Sequence, residues 1–136
     1  MAMKITYAKL LDGINPSLQA ISKLGFPMSV PISHHIAIAE NLNLIEEKAK
    51  AFWATRDKVL KELCEKDEKG EPLTEVVNKV SSYKFSDDNK VIWETKYNEL
   101  RDEEVEVKLK KLDKSNFEGV EGLTPLLLKG ILDILK

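Results

Sequence analysis

A chain of 136 residues has room for one domain, and a domain of this size can bury a core large enough to fold without disulfides or a structural metal. Its 21 Lys and Arg nearly balance its 23 Asp and Glu, so the net charge of -2 excludes a global field that would attract nucleic acid or an anionic membrane. A hydrophobic fraction of 43% excludes disorder over the whole chain. We expect a single domain over residues 1–136.

The sequence carries no signal for export or for membrane insertion. The first residues lack the apolar run of a secretory signal, and no apolar stretch approaches the roughly 20 residues that a membrane-spanning helix needs. Cys64 is the only cysteine, so an intrachain disulfide cannot form, which agrees with a reducing compartment. We therefore expect a soluble protein in the cytoplasm.

The N-terminal part begins with a strand and a helix. Residues 4–7 alternate polar and apolar side chains, which predicts a short strand. Over residues 8–24 apolar side chains recur at spacings of four and three, which predicts a helix. Asn15-Pro16 interrupts this helix, and either a kink or a fresh start with Asn15 as the N-cap would accommodate the proline. Because the apolar register continues across the break, we favour a kinked helix.

A long helix over residues 32–67 dominates the pattern. Its apolar residues again alternate at spacings of four and three: Ile38, Leu42, Ile45, Ala49, Phe52, Val59 and Leu63. Arg56 is the polar residue that interrupts this series. Such a helix would extend about 50 Å, which is more than the width of a compact domain of this mass. Part of the helix must therefore protrude or pair with another element.

A second helix is predicted to pair with the long one. Residues 68–85 are mostly polar and include Gly70 and Pro72, which predicts a loop, with a helical turn over residues 73–80 as the alternative. Ser86 then provides an N-cap for a helix over residues 86–103. Its apolar seam, Trp93, Tyr97 and Leu100, has the spacing of the long helix. We expect the two helices to form an antiparallel hairpin, with this seam against Phe52, Val59 and Leu63.

The C-terminal part returns to a strand and ends in a helix. Residues 104–110 alternate strictly between polar and apolar, which predicts a strand whose natural partner is the strand at residues 4–7. Thr124 and Pro125 are typical of a helix start, and we expect a helix over residues 124–135. Gly130 weakens this helix by roughly 1 kcal/mol relative to alanine, which indicates a close packing contact. The predicted fold class is α+β, mostly α, with a long helical hairpin, a small two-stranded sheet and a C-terminal helix.

Several short segments carry a family resemblance. They are Met3-Lys4-Ile5, Ile38-Ala39-Glu40-Asn41 followed by Ile45-Glu46-Glu47, Glu104-Val105-Glu106-Val107 and Gly122-Leu123-Thr124-Pro125. In order and spacing the chain resembles a domain-of-unknown-function family of small phage and prophage proteins from Gram-positive bacteria. The resemblance implies phage origin and expression in a bacterial host, and it implies no catalytic or ligand-binding residue.

No group of residues forms a recognisable catalytic or metal-binding motif. His34 and His35 are adjacent, and neighbouring helical side chains point about 100° apart, so we expect a surface role or a role at the helix start instead of a metal site. The acidic residues at 87–88 and 102–106 are explained by helix capping and by the solvent-facing side of a strand. We therefore predict a protein that is not an enzyme and that uses no cofactor, no metal and no small-molecule substrate.

Nucleic-acid binding rests on one local argument, a group of lysines formed by Lys108, Lys110, Lys111 and Lys114. Acidic residues lie immediately upstream and weaken the positive potential of this group. We therefore rank nucleic acid below protein as a partner.

Sheet edges and the free side of a long helix are ordinary sites of association. We expect a non-enzymatic phage protein that acts by protein–protein contacts, either with a host factor such as a defence component or with itself as a homo-oligomer. The contact residues that we predict are Trp53, Arg56 and Trp93, and packing of the two tryptophans within the chain is the competing interpretation. A virion structural or assembly component is the alternative function.

Overall fold

The computed structural model describes residues 2–136, which form an α+β fold that is mostly helical. Its elements are β1 (Met3–Thr6), a π-helix (Lys9–Ile14), α1 (Asn15–Ser22), α2 (Ile32–Leu63), β2 (Thr74–Val77), β3 (Val80–Tyr83), α3 (Asp87–Asp102), β4 (Glu104–Val107), a 3-10 helix (Lys114–Phe117), α4 (Pro125–Gly130) and a second 3-10 helix (Leu132–Ile134).

The described residues cluster into two compact units. The first unit comprises residues 2–49 together with Glu103–Lys136, and the second unit comprises Lys50–Asp102. Helix α2 contributes residues to both units. Two compact units can belong to one domain, so the expectation of a single domain stays a prediction.

The first unit contains the predicted two-stranded sheet. Strands β1 and β4 pair antiparallel, with Ile5 opposite Val105 and Lys4 opposite Glu106. Opposite charges at a cross-strand pair stabilise such a ribbon modestly. The apolar faces of both strands turn toward the core, where Ile5 and Val107 are buried. The expected sheet between the two ends of the chain is therefore confirmed.

Strand β4 ends at Val107, three residues earlier than the predicted strand, because the backbone that follows pairs with a side chain. Asn41 Nδ2 on α2 donates to the carbonyl oxygen of Lys110 at 3.0 Å, and the Lys110 amide donates to Asn41 Oδ1 at 2.7 Å. A carboxamide carries a donor and an acceptor side by side, as a peptide group does. Asn41 thus takes the place of a neighbouring strand, and its side chain is completely buried.

The chain stays helical through Asn15-Pro16 but changes helix type there. The Asn15 amide donates to the carbonyl of Leu10, the i→i+5 bond of a π-helix, and Pro16 then lies in the first turn of α1. Ile14 and Asn15 both have right-handed helical angles, so Asn15 does not act as an extended N-cap. Leu10 is completely buried, and Leu11 is partly buried against the same core.

The core of the first unit is a continuous apolar cluster. Its buried members are Ile5, Leu10, Ile14, Leu18, Ile21, Ile38, Ile45, Val107, Leu109, Leu112, Phe117, Ile131 and Ile134. They come from the sheet, the N-terminal helices, α2 and the C-terminal segment. Helix α4 itself has no buried residue, but its Leu127 and Leu128 pack against the cluster.

The prediction of a loop over residues 68–85 is wrong, because this segment contains the β2–β3 hairpin. Val77 pairs with Val80 across the two-residue turn Asn78-Lys79. Both turn residues have positive φ, 52° and 66°, which is the type I′ geometry that matches the twist of paired strands. Helix α2 also ends earlier than predicted, at Leu63, because the Glu65 amide bonds to the carbonyl of Lys84 at 2.7 Å and so leaves the helical pattern.

The second unit also contains the predicted helical hairpin. Asn89 Nδ2 near the start of α3 donates to the carbonyl of Leu63 at the end of α2, at 2.9 Å. Further along, the rings of Tyr97 and Phe52 meet edge to face, with centroids 6.1 Å apart. From the first contact to the second, the residue number falls along α2, from Leu63 to Phe52, and rises along α3, from Asn89 to Tyr97. The two helices are therefore antiparallel. Ser86 caps α3 as predicted, since its Oγ accepts from the Asn89 amide at 3.2 Å.

The C-terminal helix starts as predicted and ends earlier. Thr124 Oγ1 accepts from the Leu127 amide at 3.2 Å, and Pro125 occupies the first turn. Regular α-helix stops at Gly130 instead of continuing to residue 135, because the last residues pair with Leu112, whose carbonyl accepts from the Lys136 amide at 2.9 Å. A Cβ on Gly130 would overlap Ser17 Oγ and lie 2.6 Å from Ser17 Cβ. The predicted close contact at Gly130 is therefore confirmed.

Replacement of Gly130 by alanine tests this contact. Gly130→Ala should lower the free energy of unfolding by about 1–3 kcal/mol, because the added methyl group overpacks against Ser17. Without the contact, the better helix propensity of alanine would raise stability by about 1 kcal/mol. Urea denaturation followed by circular dichroism measures the difference.

Ser17→Gly provides the matched background for this measurement. It removes the two Ser17 atoms that the new methyl group would overlap and leaves only the Gly13 carbonyl oxygen at an ordinary 3.4 Å, so the alanine should cost much less in the Ser17→Gly chain than in the wild type. A Gly130→Ala variant as stable as the wild type would contradict the contact.

Candidate functional site

Two of the three predicted contact residues, Trp53 and Arg56, lie one turn apart on α2, and the third, Trp93, lies on α3. Trp53 is 47% exposed on α2. Arg56, three residues later, donates from Nε and Nη2 to Asp57 Oδ1 at 3.2 and 3.0 Å. A partly exposed ion pair of this kind contributes little to stability. Trp93 lies on α3 and is partly buried.

Trp93 belongs to an aromatic cluster within the second unit. Its ring stacks on Phe85, with centroids 6.2 Å apart and planes 11° apart, and lies against Tyr97 at 5.2 Å. Tyr97 in turn contacts Phe52. Trp93 therefore packs within the chain, which is the interpretation that competes with partner contact. Partner binding by Trp53, Arg56 and Trp93 stays a prediction.

The β2–β3 hairpin exposes two valines that pair across the turn and share one face, which we call the valine surface: Val77 and Val80, which are 51% and 64% exposed. Val76 is 72% exposed on the opposite face. Within Lys50–Asp102, all of which the structure describes, only Phe52 and Cys64 are buried. A unit of about 50 residues with so small a core gains little stability from burial. The second unit thus directs much of its apolar surface toward solvent. Sequence reasoning missed this surface because it took the segment for a loop.

The first unit contains a cavity of about 600 Å³ at the start of α2. The polar residues of its lining that matter here are Ser33, His34, Lys110, Lys111, Asp113 and Lys136. Ser33 and His34 lie in the first turn of α2, whereas the other four come from the segment after β4 and from the C-terminal end. The cavity therefore lies where three parts of one unit converge.

His34 is buried, contrary to the surface role expected for it, although its place at the helix start is as predicted. Its side chain is 4% exposed, and the rings of Phe26 and Phe117 meet it edge to face at 5.1 and 5.0 Å. Its Nε2 has no hydrogen-bond partner. Burial lowers the pKa of His34 below 6.5, the nearby charge of His35 lowers it further, and Asp113 opposes both. His34 is therefore neutral at pH 7.

Asp113 is the acidic side chain of the cavity lining. Its Oδ1 accepts from the Ser115 amide at 3.0 Å and from Ser115 Oγ at 2.8 Å, which caps the 3-10 helix that follows. These hydrogen bonds lower the pKa of Asp113, so the carboxylate is ionised at neutral pH.

The lysines proposed for nucleic acid are partly engaged by other groups. Lys110 forms an ion pair with Glu40, and Lys111 Nζ donates to the carbonyl oxygen of Asp133. In the part of the chain that the structure describes, no three His, Cys, Asp or Glu side chains form a group that could hold a metal ion. Cys64 is buried directly after the end of α2.

Comparison with known proteins gives no relative, since no family model, no curated protein and no solved structure matches the chain. Among residues 2–136, no helix combines the length and apolar character that crossing a membrane requires.

The buried His34 predicts a specific pH dependence of stability. Because its pKa is lower in the folded chain than the 6.5 of the unfolded chain, the unfolded state binds a proton first as the pH falls. The free energy of unfolding should therefore decline as the pH falls below about 6.5. The contribution of His34 to this decline should end once the pH is below the pKa of His34 in the folded chain. Urea denaturation between about pH 7.5 and 5 measures this effect.

Two histidine variants isolate the effect. His34→Phe should flatten the decline, since phenylalanine fits among Phe26 and Phe117 and does not titrate. His35→Phe, at the exposed neighbouring position, should retain most of the decline, because burial, the main cause of the lowered pKa of His34, is left in place. An equal pH dependence in wild type and His34→Phe would contradict the assignment.

Proposed function

We propose that this chain is a non-enzymatic phage protein that acts through protein–protein contacts made by its second unit. The observation that best supports the proposal is the exposed valine surface in a unit that buries only Phe52 and Cys64. Contiguous exposed apolar side chains on a soluble protein are typical of interaction sites.

The hairpin offers two kinds of contact to a partner. The sheet of β2 and β3 has two strands, so each has an outer edge that an extended segment of a partner can join through main-chain hydrogen bonds. The valine side chains supply apolar area at the same place. Trp53, exposed in the same unit, is of the residue type that most often anchors an interface.

The partner in this proposal is a host protein, such as a defence component, or a second copy of the chain. The resemblance of the sequence motifs supports a phage gene expressed in the cytoplasm of a bacterial host. Engagement of Lys110 by Glu40 and of Lys111 by Asp133 supports a protein partner over a nucleic acid.

Removal of the valine surface tests the proposal. In the double variant Val77→Thr/Val80→Thr, which changes the two valines that share a face, partner or self-association should weaken by about tenfold or more, since burial of two valines contributes roughly 1.5–3 kcal/mol each. Threonine keeps the shape and strand propensity of valine, so the hairpin should persist. Light scattering over a concentration series measures self-association, and affinity capture from a bacterial host measures recovery of a stoichiometric partner.

The matched control is Ile32→Thr, which makes a similar change at a position that is 75% exposed in the first unit. This variant should associate like the wild type. A monomeric wild type that recovers no partner, or a partner held equally well by the valine variant, would contradict the proposal.

A further inference from the structure

The outer edge of β2 can accept another strand. The Lys84 amide donates to the carbonyl of Leu73 at 2.9 Å, so these two residues form a hydrogen-bonded pair, and such pairs alternate along an antiparallel ladder. Val77 therefore directs its backbone groups toward β3, whereas Val76 directs its backbone groups outward. Among residues 2–136, no third strand joins the sheet of β2 and β3.

Two charged side chains of the hairpin lack a partner within the chain. Glu75 in β2 and Lys79 in the turn are both exposed. In the part of the chain that the structure describes, neither side chain forms an ion pair. A second copy related by a twofold axis could bring each Glu75 to a Lys79, because such an interface makes every contact twice.

Antiparallel pairing of β2 with β2 of a second copy allows few registers. Only outward-directed backbone groups can bond across the junction, so allowed registers differ by two residues. In one register Glu75 faces Glu75 of the second copy, and these like charges repel. In the next register Glu75 faces Val77 and gains no partner. In the third register Glu75 faces Lys79 at both ends of the junction, and Val77 faces Val77 at the twofold axis.

The third register also joins the valine surfaces of the two copies. Val80 lies opposite Val77 within each hairpin, so the four valines of the two copies form one row across the same face of the joined sheet. Directly opposite side chains of paired strands have Cβ atoms roughly 4.5–5.5 Å apart, which is contact distance for valine. Charge and apolar contact therefore favour the same register.

The outer edge of β3 is less suited to a second copy. From Lys79 to Lys84 the chain contains no acidic residue, so two copies joined along β3 would gain no opposite charges. We infer that this protein forms a twofold dimer in which β2 pairs antiparallel with β2 of a second copy, with Glu75 opposite Lys79 and Val77 opposite Val77. The inference rests on the proposed function, because it names the partner of the valine surface.

Charge reversal tests the register. In Glu75→Lys and in Lys79→Glu both cross-copy pairs become like charges, so self-association of each variant should weaken by about tenfold. An equimolar mixture of the two variants should recover the association, because the mixed dimer has opposite charges at both places. Sedimentation equilibrium over a concentration series measures the dissociation constants, and native mass spectrometry with one variant isotope-labelled identifies the mixed dimer.

The wild-type dimer should be weak and sensitive to salt. Strands of four residues joined at one edge make an interface smaller than the standard size, so we expect a dissociation constant of about 10–100 µM that rises as salt is added. The matched control is Glu68→Lys, which makes the same change in charge at an exposed position outside the hairpin and should dimerise like the wild type.

Four outcomes would overturn the inference. The first is a wild type that stays monomeric up to about 1 mM. The second is assembly that grows beyond the dimer, which would indicate β2 joined to β3 of the next copy. The third is charge-reversal variants that each associate like the wild type, and the fourth is a mixture without the mixed dimer.

Failure of this inference is distinguishable from failure of the proposed function. A monomeric wild type that captures a host protein, combined with loss of that protein in Val77→Thr/Val80→Thr, would overturn the dimer and leave the proposed function in place.

Discussion

The two hydrogen bonds between Asn41 and the backbone of Lys110 determine how α2 lies in the first unit. Buried backbone groups need partners, and here one side chain supplies both a donor and an acceptor to a segment that no strand covers. The pairing turns one face of α2 inward, with Ile38 and Ile45 in the core and His34 about two turns before Asn41. The cavity at the start of α2 depends on the same orientation, because its lining includes Lys110.

The two units use their apolar residues in different ways. In the first unit a continuous cluster is buried, and the contact of Gly130 with Ser17 shows that its helices approach closely. In the second unit few side chains are buried, and valines of the hairpin face solvent. Stability therefore comes mainly from the first unit, while the second unit offers surface for association. The proposed protein contacts fall accordingly in the second unit.

Periodicity in the sequence was sufficient to predict α2, α3 and the β1–β4 pair, and a glycine inside a predicted helix indicated the close contact at Gly130. It was not sufficient for the β2–β3 hairpin, because Lys79 occupies a turn position where glycine would normally signal type I′ geometry. It also missed His34 and Asn41, since counting apolar residues overlooks polar side chains at the same helical spacing. Both are on the buried face of α2, so a polar residue that keeps the apolar register is the signal that would have identified them.

The central claim, that Asn41 fixes α2 in the first unit, is tested most directly by Asn41→Leu. Leucine fills a similar volume but leaves the amide and carbonyl of Lys110 without partners, so the free energy of unfolding should fall by about 2–4 kcal/mol. Asn43→Leu, at an exposed position two residues along the same helix, is the control. The account predicts lower stability and faster amide hydrogen exchange at Lys110 in Asn41→Leu alone. Unchanged stability and unchanged exchange at Lys110 would contradict it.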